Sequence, residues 1–250
     1  MVSLFDTILY YPLFNGLILL YNNAAFGDLG IAIILLTLAI RILLFPLFYY
    51  GFKNQTLMQQ VQPEIARIQE LHKHDKEKQA TAMMEAYKKY NVNPFSSIIL
   101  IFCQLPILIA LYQVFLNGFG DEALVGLYGF VVNPGHLNTS LLGLIDLKEK
   151  SVILVMLASI LQYYQGVLSL GKKRAETQND PAQRMAKTMI WVGPVLTVLV
   201  LGSLPAAVGL YWLTSSAFSI GQQWYINKSI SKDYGETTND SKTDVGTDGV

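Results

Sequence analysis

Apolar residues run through this chain in long blocks separated by polar loops, and the blocks predict helices that cross a bilayer. Five stretches approach or reach the roughly 20 residues that traverse hydrocarbon as a helix. They are 28–50, 94–117, 151–170, 188–203 and 205–227. Only Gly202-Ser203-Leu204-Pro205 separates the last two, which predicts that they form a tight hairpin. A further apolar stretch, 4–21, is interrupted by Asp6, Pro12 and Asn15. It reads as an amphipathic helix lying in the interface, with a sixth span as the alternative.

Between the first two blocks the pattern changes. Leu57, Val61, Ile65, Ile68 and Leu71 recur at spacings of three and four, as do Met83, Ala86, Tyr87 and Tyr90 beyond a turn at His72-Lys73-His74-Asp75. Each set makes one apolar stripe on a helix. Two such helices joined by a short turn predict an antiparallel hairpin over 53–90, with Pro63 bending its first arm or marking its start. Between the second and third blocks, Asn133-Pro134-Gly135 predicts a turn, and the apolar stretch 141–147 is too short to cross and reads as interfacial. Residues 228–250 are rich in Ser, Thr, Asp and Gly and predict a disordered tail.

The charges orient this arrangement. No Lys or Arg precedes Arg41; loop 51–93 carries seven, loop 118–150 two, and loop 171–187 five. By the positive-inside rule the rich loops are cytoplasmic, the N-terminus outside and the C-terminus inside. The expected architecture is therefore an all-α integral membrane protein of the inner (plasma) membrane. It has an interfacial helix and linker over 1–27, a five-span core over 28–227 with a cytoplasmic hairpin, and a tail over 228–250. The first residues lack the basic region of a signal peptide and a lipid-anchor cysteine. The single Cys103 lies in an apolar block and can form no internal disulfide or cysteine-based metal site.

One residue breaks the hydrophobic pattern. Arg41 is the only ionisable side chain in the run 29–52, and Lys53 is about 18 Å further along a helix. A guanidinium near mid-bilayer costs roughly 2.5–3.5 kcal/mol on insertion scales. The other four blocks supply no Asp or Glu to neutralise it. Snorkelling to the headgroups is the simple alternative, but it would need a thinned bilayer or inward-reaching water. Polar groups scattered through the other blocks (Thr37 one turn from Arg41, Gln104, Gln113, Gln162, Gln165, Thr214, Ser215, Ser216, Ser219) point instead to a wet groove between helices. Taken singly, each could serve interhelical hydrogen bonding. Tyr211-Trp212 could pack against lipid or line the groove.

Candidate catalytic chemistry is missing from the sequence. There is no phosphate-binding glycine loop, no nucleophile elbow and no His-Glu-x-x-His site, and no carboxylate for an intramembrane proton relay. The expectation is a protein that is not an enzyme and carries no metal or cofactor. The tail holds more acids than lysines, so no sequence-specific nucleic-acid binding is expected.

An ordered series of short motifs then resembles the YidC/Oxa/Alb family of membrane protein insertases. The series runs Gly27 and Gly30, Thr37-Leu-Ala-Ile-Arg41, Phe45-Pro46-Leu47, Gln62-Pro63-Glu64-Ile65, Tyr87-Lys88 and Val92-Asn93-Pro94. It continues with Gln104-Leu105-Pro106-Ile107, Ala110-Leu111-Tyr112, Leu204-Pro205, Gly209-Leu210-Tyr211-Trp212 and Gln222-Gln223. The resemblance implies five helices around a hydrophilic groove that is open to cytoplasm and lipid. Arg41 and Thr37 would lie in that groove, with Gln104, Gln162, Gln165 and Ser216 adding polarity. Leu108, Tyr211 and Trp212 would form a greasy slide for substrate. The implied partners are nascent or newly made membrane proteins and lipid, with the ribosome and the Sec translocon as further candidates. The large outer domain and the long basic tail of some members have no counterpart here. The rival reading is a small anion transporter or channel with Arg41 as its selectivity charge; a third is a chaperone that aids helix packing without inserting anything.

Overall fold

In the computed structural model, residues 3–117, 124, 126–170 and 181–243 are described, and they are almost entirely helical. A π-helical turn, Asp6–Tyr10, leads into α1 (Tyr11–Asn23). Then follow α2 (Leu29–Leu43), α3 (Phe45–Leu71), α4 (Lys76–Lys89) and α5 (Ser96–Asn117). A two-stranded ribbon pairs β1 (Ser140–Leu141) antiparallel with β2 (Ile145–Asp146), Leu141 opposite Ile145. The chain ends with α6 (Val152–Leu170), α7 (Pro181–Leu201) and α8 (Ala206–Thr243).

Local chemistry explains the boundaries. Asp28 caps α2 by accepting from the Ile31 amide at 2.9 Å, and Asp75 caps α4 by accepting from the Lys78 amide at 3.0 Å. Pro12 and Pro46 occupy first-turn positions in α1 and α3, where the missing N–H costs nothing. Pro205 immediately precedes α8. Pro63, Pro106 and Pro194 lie inside α3, α5 and α7.

The span expected over 28–50 is bent at its proline. α2 stops at Leu43, Leu44 leaves helical geometry, and α3 departs at 69°. Pro46 cannot donate to the Ile42 carbonyl and its ring would crowd it, which favours a kink or break at this point. Consequently the first arm of the expected hairpin begins at Phe45 rather than Lys53 and is continuous with the bend. Among the described residues no single helix is long and apolar enough to cross a membrane alone; α2 and α3 pass that test only as a bent pair. Phe102–Leu116, Val152–Leu168 and Ile190–Leu201 are shorter apolar segments.

The main core draws on α1, α2, α5, α6 and α8. Leu29, Ala32, Ile33 and Leu36 form the buried stripe of α2 and share one core with Phe14, Leu17 and Ile18 of α1 and Leu111 and Val114 of α5. Thus α1 packs into the bundle, with Ile18 fully buried. Apolar side chains on the opposite faces remain exposed: Phe102, Leu105 and Ile109 on α5, Met156 and Ile160 on α6, Val195 and Leu199 on α7. Contiguous outward apolar faces of this kind suit a bundle dissolved in lipid.

The turn between α7 and α8 is tight, but the two helices do not pair along their length as expected; α6 takes α7 on one side and α8 on another. Small residues permit the close α6–α7 approach. A Cβ on Gly193 would meet Gln162 at 3.2 Å and one on Gly166 would meet Ile190 at 3.3 Å. The Tyr163 and Trp191 rings meet at a tilt of 43°, 4.9 Å between centres.

α3 and α4 enclose a separate small core of Val61, Ile65, Ile68, Ala86 and Val92. Their ion pairs, Arg67–Glu64, Lys73–Glu70 and Lys78–Asp75, are local and exposed and contribute little beside it. Asn133 makes the expected turn, its side chain accepting from the Gly135 amide at 2.8 Å. α8 continues to Thr243. No proline follows Pro205, and extending an existing helix is far easier than nucleating one. The basic loop 171–180 and residues 244–250 lie outside the described residues.

Candidate functional site

Between the bend and helices α5, α6 and α8 lies a cavity of about 260 Å³. Arg41 reaches it from the last turn of α2, and it is the only charged residue among those lining it. Its guanidinium, 7% exposed as a residue, is held entirely by neutral groups. Nε donates to Ser215 Oγ at 2.8 Å, and Nη2 contacts the same oxygen and lies 3.5 Å from Gln104 Oε1. Cζ stands 4.4 Å from the centre of the Phe48 ring. That contact exists because the bend folds α3 back beside Arg41, placing an electron-rich face against the cation. Nη1 is buried without a partner.

Gln104 links two helices, since its Nε2 donates to the Tyr211 hydroxyl. Gln162 and Gln165 line the cavity from α6, and Trp212, Ser215, Ser216 and Ser219 line it from α8. The α8 residues recur at three- and four-residue spacing and so share one face. Trp212 Nε1, like Arg41 Nη1, is buried with no hydrogen-bond partner. Two unpaired donors therefore border a space that no carboxylate lines among the described residues.

The structure brings five of the expected groove residues together: Arg41, Gln104, Gln162, Gln165 and Ser216. Thr37 is not among them. It is 1% exposed, and its hydroxyl donates to the Ile33 carbonyl of its own helix at 2.6 Å. Of the expected slide, only Trp212 lines the cavity. Tyr211 is 2% exposed behind it as the partner of Gln104, and Leu108 packs against the main core. Sequence reasoning missed Phe48, Phe52 and Leu100 as lining residues, because one apolar residue in an apolar run carries no distinguishing signal. Ser215 stood in the sequence as one polar position among several; its role as chief partner of Arg41 required the fold.

Below the cavity a second polar set ties the helices together. Gln223 Nε2 donates to Thr56 Oγ1 at 2.9 Å and to Asn227 Oδ1 at 3.0 Å, and Asn227 Nδ2 donates to the Leu168 carbonyl at 3.3 Å. Gln222 Nε2 donates to the Phe45 carbonyl at 3.2 Å, at the start of α3. These bonds fix the direction in which α3 leaves the bundle. Among the described residues no cluster of His, Cys, Asp and Glu could hold a metal ion.

With this geometry in hand, residues 21–233 match the family described as 60Kd inner membrane protein. A membrane protein insertase YidC of Clostridium tetani is 34% identical over 193 residues, covering 77% of this chain and 79% of the relative. One from Streptomyces avermitilis is 31% identical over 217 residues, covering 79% of this chain and 50% of the relative. Another, from Magnetococcus marinus, is 34% identical over 214 residues, covering 85% of this chain and 34% of the relative. The chain thus spans most of the first relative's length but half or less of the other two. A crystal structure of an active YidC insertase, with its first transmembrane domain resolved, matches with a TM-score of 0.60 at 22% identity. That match covers 89% of this chain and 47% of the other, and it is a likeness of fold.

Proposed function

This chain belongs to the 60Kd inner membrane protein family, and from that premise we propose that it is a membrane protein insertase working through the Arg41 cavity. Five spans form its core: the bent α2–α3 pair, α5, α6, α7 and α8. The α3–α4 pair stands in the cytoplasm as a hairpin that receives substrate, with the N-terminus outside and the C-terminus inside. Its clients are nascent or newly made membrane proteins; the ribosome and the Sec translocon are candidate partners through the basic loops.

The observation that carries this reading is a buried guanidinium surrounded only by neutral partners, with one nitrogen unoccupied. A polar or acidic segment of a client entering the cavity satisfies Arg41 Nη1 and Trp212 Nε1. Its attraction to the cation is stronger there than in bulk water because the surroundings are less polar. The polar cavity shortens the distance over which the segment is stripped of water. The client's apolar segment then passes into lipid, which drives the reaction at roughly 25 cal/mol per Å² of apolar surface buried. Since no carboxylate lines the cavity among the described residues, the client meets no ion pair there that it must displace.

The test is insertion of a client with an acidic leading segment into proteoliposomes by Arg41→Lys, Arg41→Ala and Arg41→Glu. Retention by Lys with loss by Glu supports the charge role; equal activity of all three would end it. Solute flux through the purified protein without a client would favour the anion-channel reading instead.

A further inference from the structure

Three turns meet at the end of the bundle where α1 finishes and α2 begins, and each presents apolar side chains outward. Phe26, between α1 and α2, is 97% exposed at φ 54°. Leu142, in the turn of the β1–β2 ribbon, has φ 52°, and it and Leu144 are exposed. Phe130 and Val132 are exposed in the segment before Asn133. Left-handed backbone is unfavourable for bulky residues, where Gly or Asn relieves the crowding. Asn91 meets that condition at the end of α4, while Phe26 and Leu142 do not. In water these two positions combine backbone strain with exposed hydrocarbon.

The turns are nevertheless held firmly. Asp28, 9% exposed, uses one carboxylate oxygen to cap α2 and the other to accept from the Leu142 amide at 2.6 Å. The Leu29 amide donates to the Asn138 carbonyl at 3.3 Å, and Gly30 leaves room for Leu141 to lie against α2. Asn22 Nδ2 donates to the Val132 carbonyl at 2.7 Å. A single helix junction therefore fastens all three apolar turns.

Helix length indicates what covers them. α2 has 15 residues, about 22 Å of rise, against roughly 30 Å of hydrocarbon. At its bent end α3 continues the apolar surface; at its other end only these turns do. Exposed Val152 and Ile153, at the start of α6 just after the ribbon, extend the same outward apolar face toward them. We propose that Phe26, Phe130, Val132, Leu142 and Leu144 form an apolar collar that embeds in the bilayer interface. The collar fixes how deep α2, and with it Arg41, sits in the membrane. This goes beyond the insertase reading and does not depend on it.

The test places single spin labels at Phe26→Cys, Leu144→Cys and, as a water reference on the α3–α4 turn, His74→Cys. The full chain carries Cys103→Ser throughout and is reconstituted in phosphatidylcholine–phosphatidylglycerol vesicles. The ratio of collisions with oxygen to collisions with a water-soluble nickel chelate is expected to be at least about twofold higher at both collar sites than at His74. Ratios at or near the His74 value would overturn the proposal, showing that the bilayer thins to meet a short α2 and leaves the turns in water. No client is present, so the result stands whether or not insertion is observed.

Discussion

Arg41 Nε and Ser215 Oγ lie 2.8 Å apart, although 174 positions separate them in the chain. This contact joins the end of α2 to the middle of α8 and makes a neutral hydroxyl the principal partner of a buried cation. A neutral partner keeps the charge in place without cancelling it, which leaves the field available to an incoming acidic segment.

Ser215→Ala removes the acceptor used by both Nε and Nη2. Hydrogen bonds to charged groups contribute about 1.5–3 kcal/mol, and the guanidinium would remain buried. The expected result is a lower unfolding midpoint in mild detergent together with weaker insertion, while Ser215→Thr, which keeps a hydroxyl, retains most of both.

Two glycines separate side-chain from backbone crowding. The atoms nearest a Cβ on Gly51 belong to the Leu100 side chain, whereas one on Gly30 meets Leu141 Cα at 2.9 Å and Cβ at 2.7 Å. Overpacking at either site costs about 1–3 kcal/mol. Leu100→Ala should restore the thermal stability lost in Gly51→Ala. Leu141→Ala should fail to rescue Gly30→Ala, because the offending atoms remain.

Gln223 and Thr56 hold α3 to α8. Gln223→Ala should release the first turns of α3 beyond the bend. Hydrogen exchange over residues 53–60 is expected to rise, with the Val61–Ile65–Ile68 core of the α3–α4 pair keeping its protection. Uniform loosening of both regions would count against a local tie.

The Asp75 carboxyl is held below its usual range by the Lys78 amide first and the Lys78 side chain second. A depressed value means that the ionised form is stabilised by folding. Its contribution is complete above the ordinary carboxylate range and disappears as pH falls through the lowered value. Hydrogen exchange at the start of α4 should therefore rise below about pH 4. Asp75→Asn, which can still cap, should flatten that dependence.

Several site residues could be read before any coordinates, for a common reason. Arg41, Gln104, Gln162, Gln165 and Ser216 are polar side chains in apolar runs, where an unsatisfied group is costly, so their presence announces a shared polar space. Thr37 obeys the same logic but does not line the cavity, because a threonine hydroxyl can bond the carbonyl one turn back. Phe48 gave no signal, since its position beside the guanidinium depends on the 69° bend.

The alternation of apolar blocks and charged loops determined that this is a helical membrane protein, and the stripes over 57–71 and 83–90 determined a pair of amphipathic helices. Those readings rest on local periodicity, which needs no knowledge of neighbours. Only the tertiary structure decided where the first span breaks, that α6 stands between α7 and α8, and which oxygen meets Arg41. Contacts across 100 positions or more depend on which helix faces meet, and periodicity identifies a face without naming its partner.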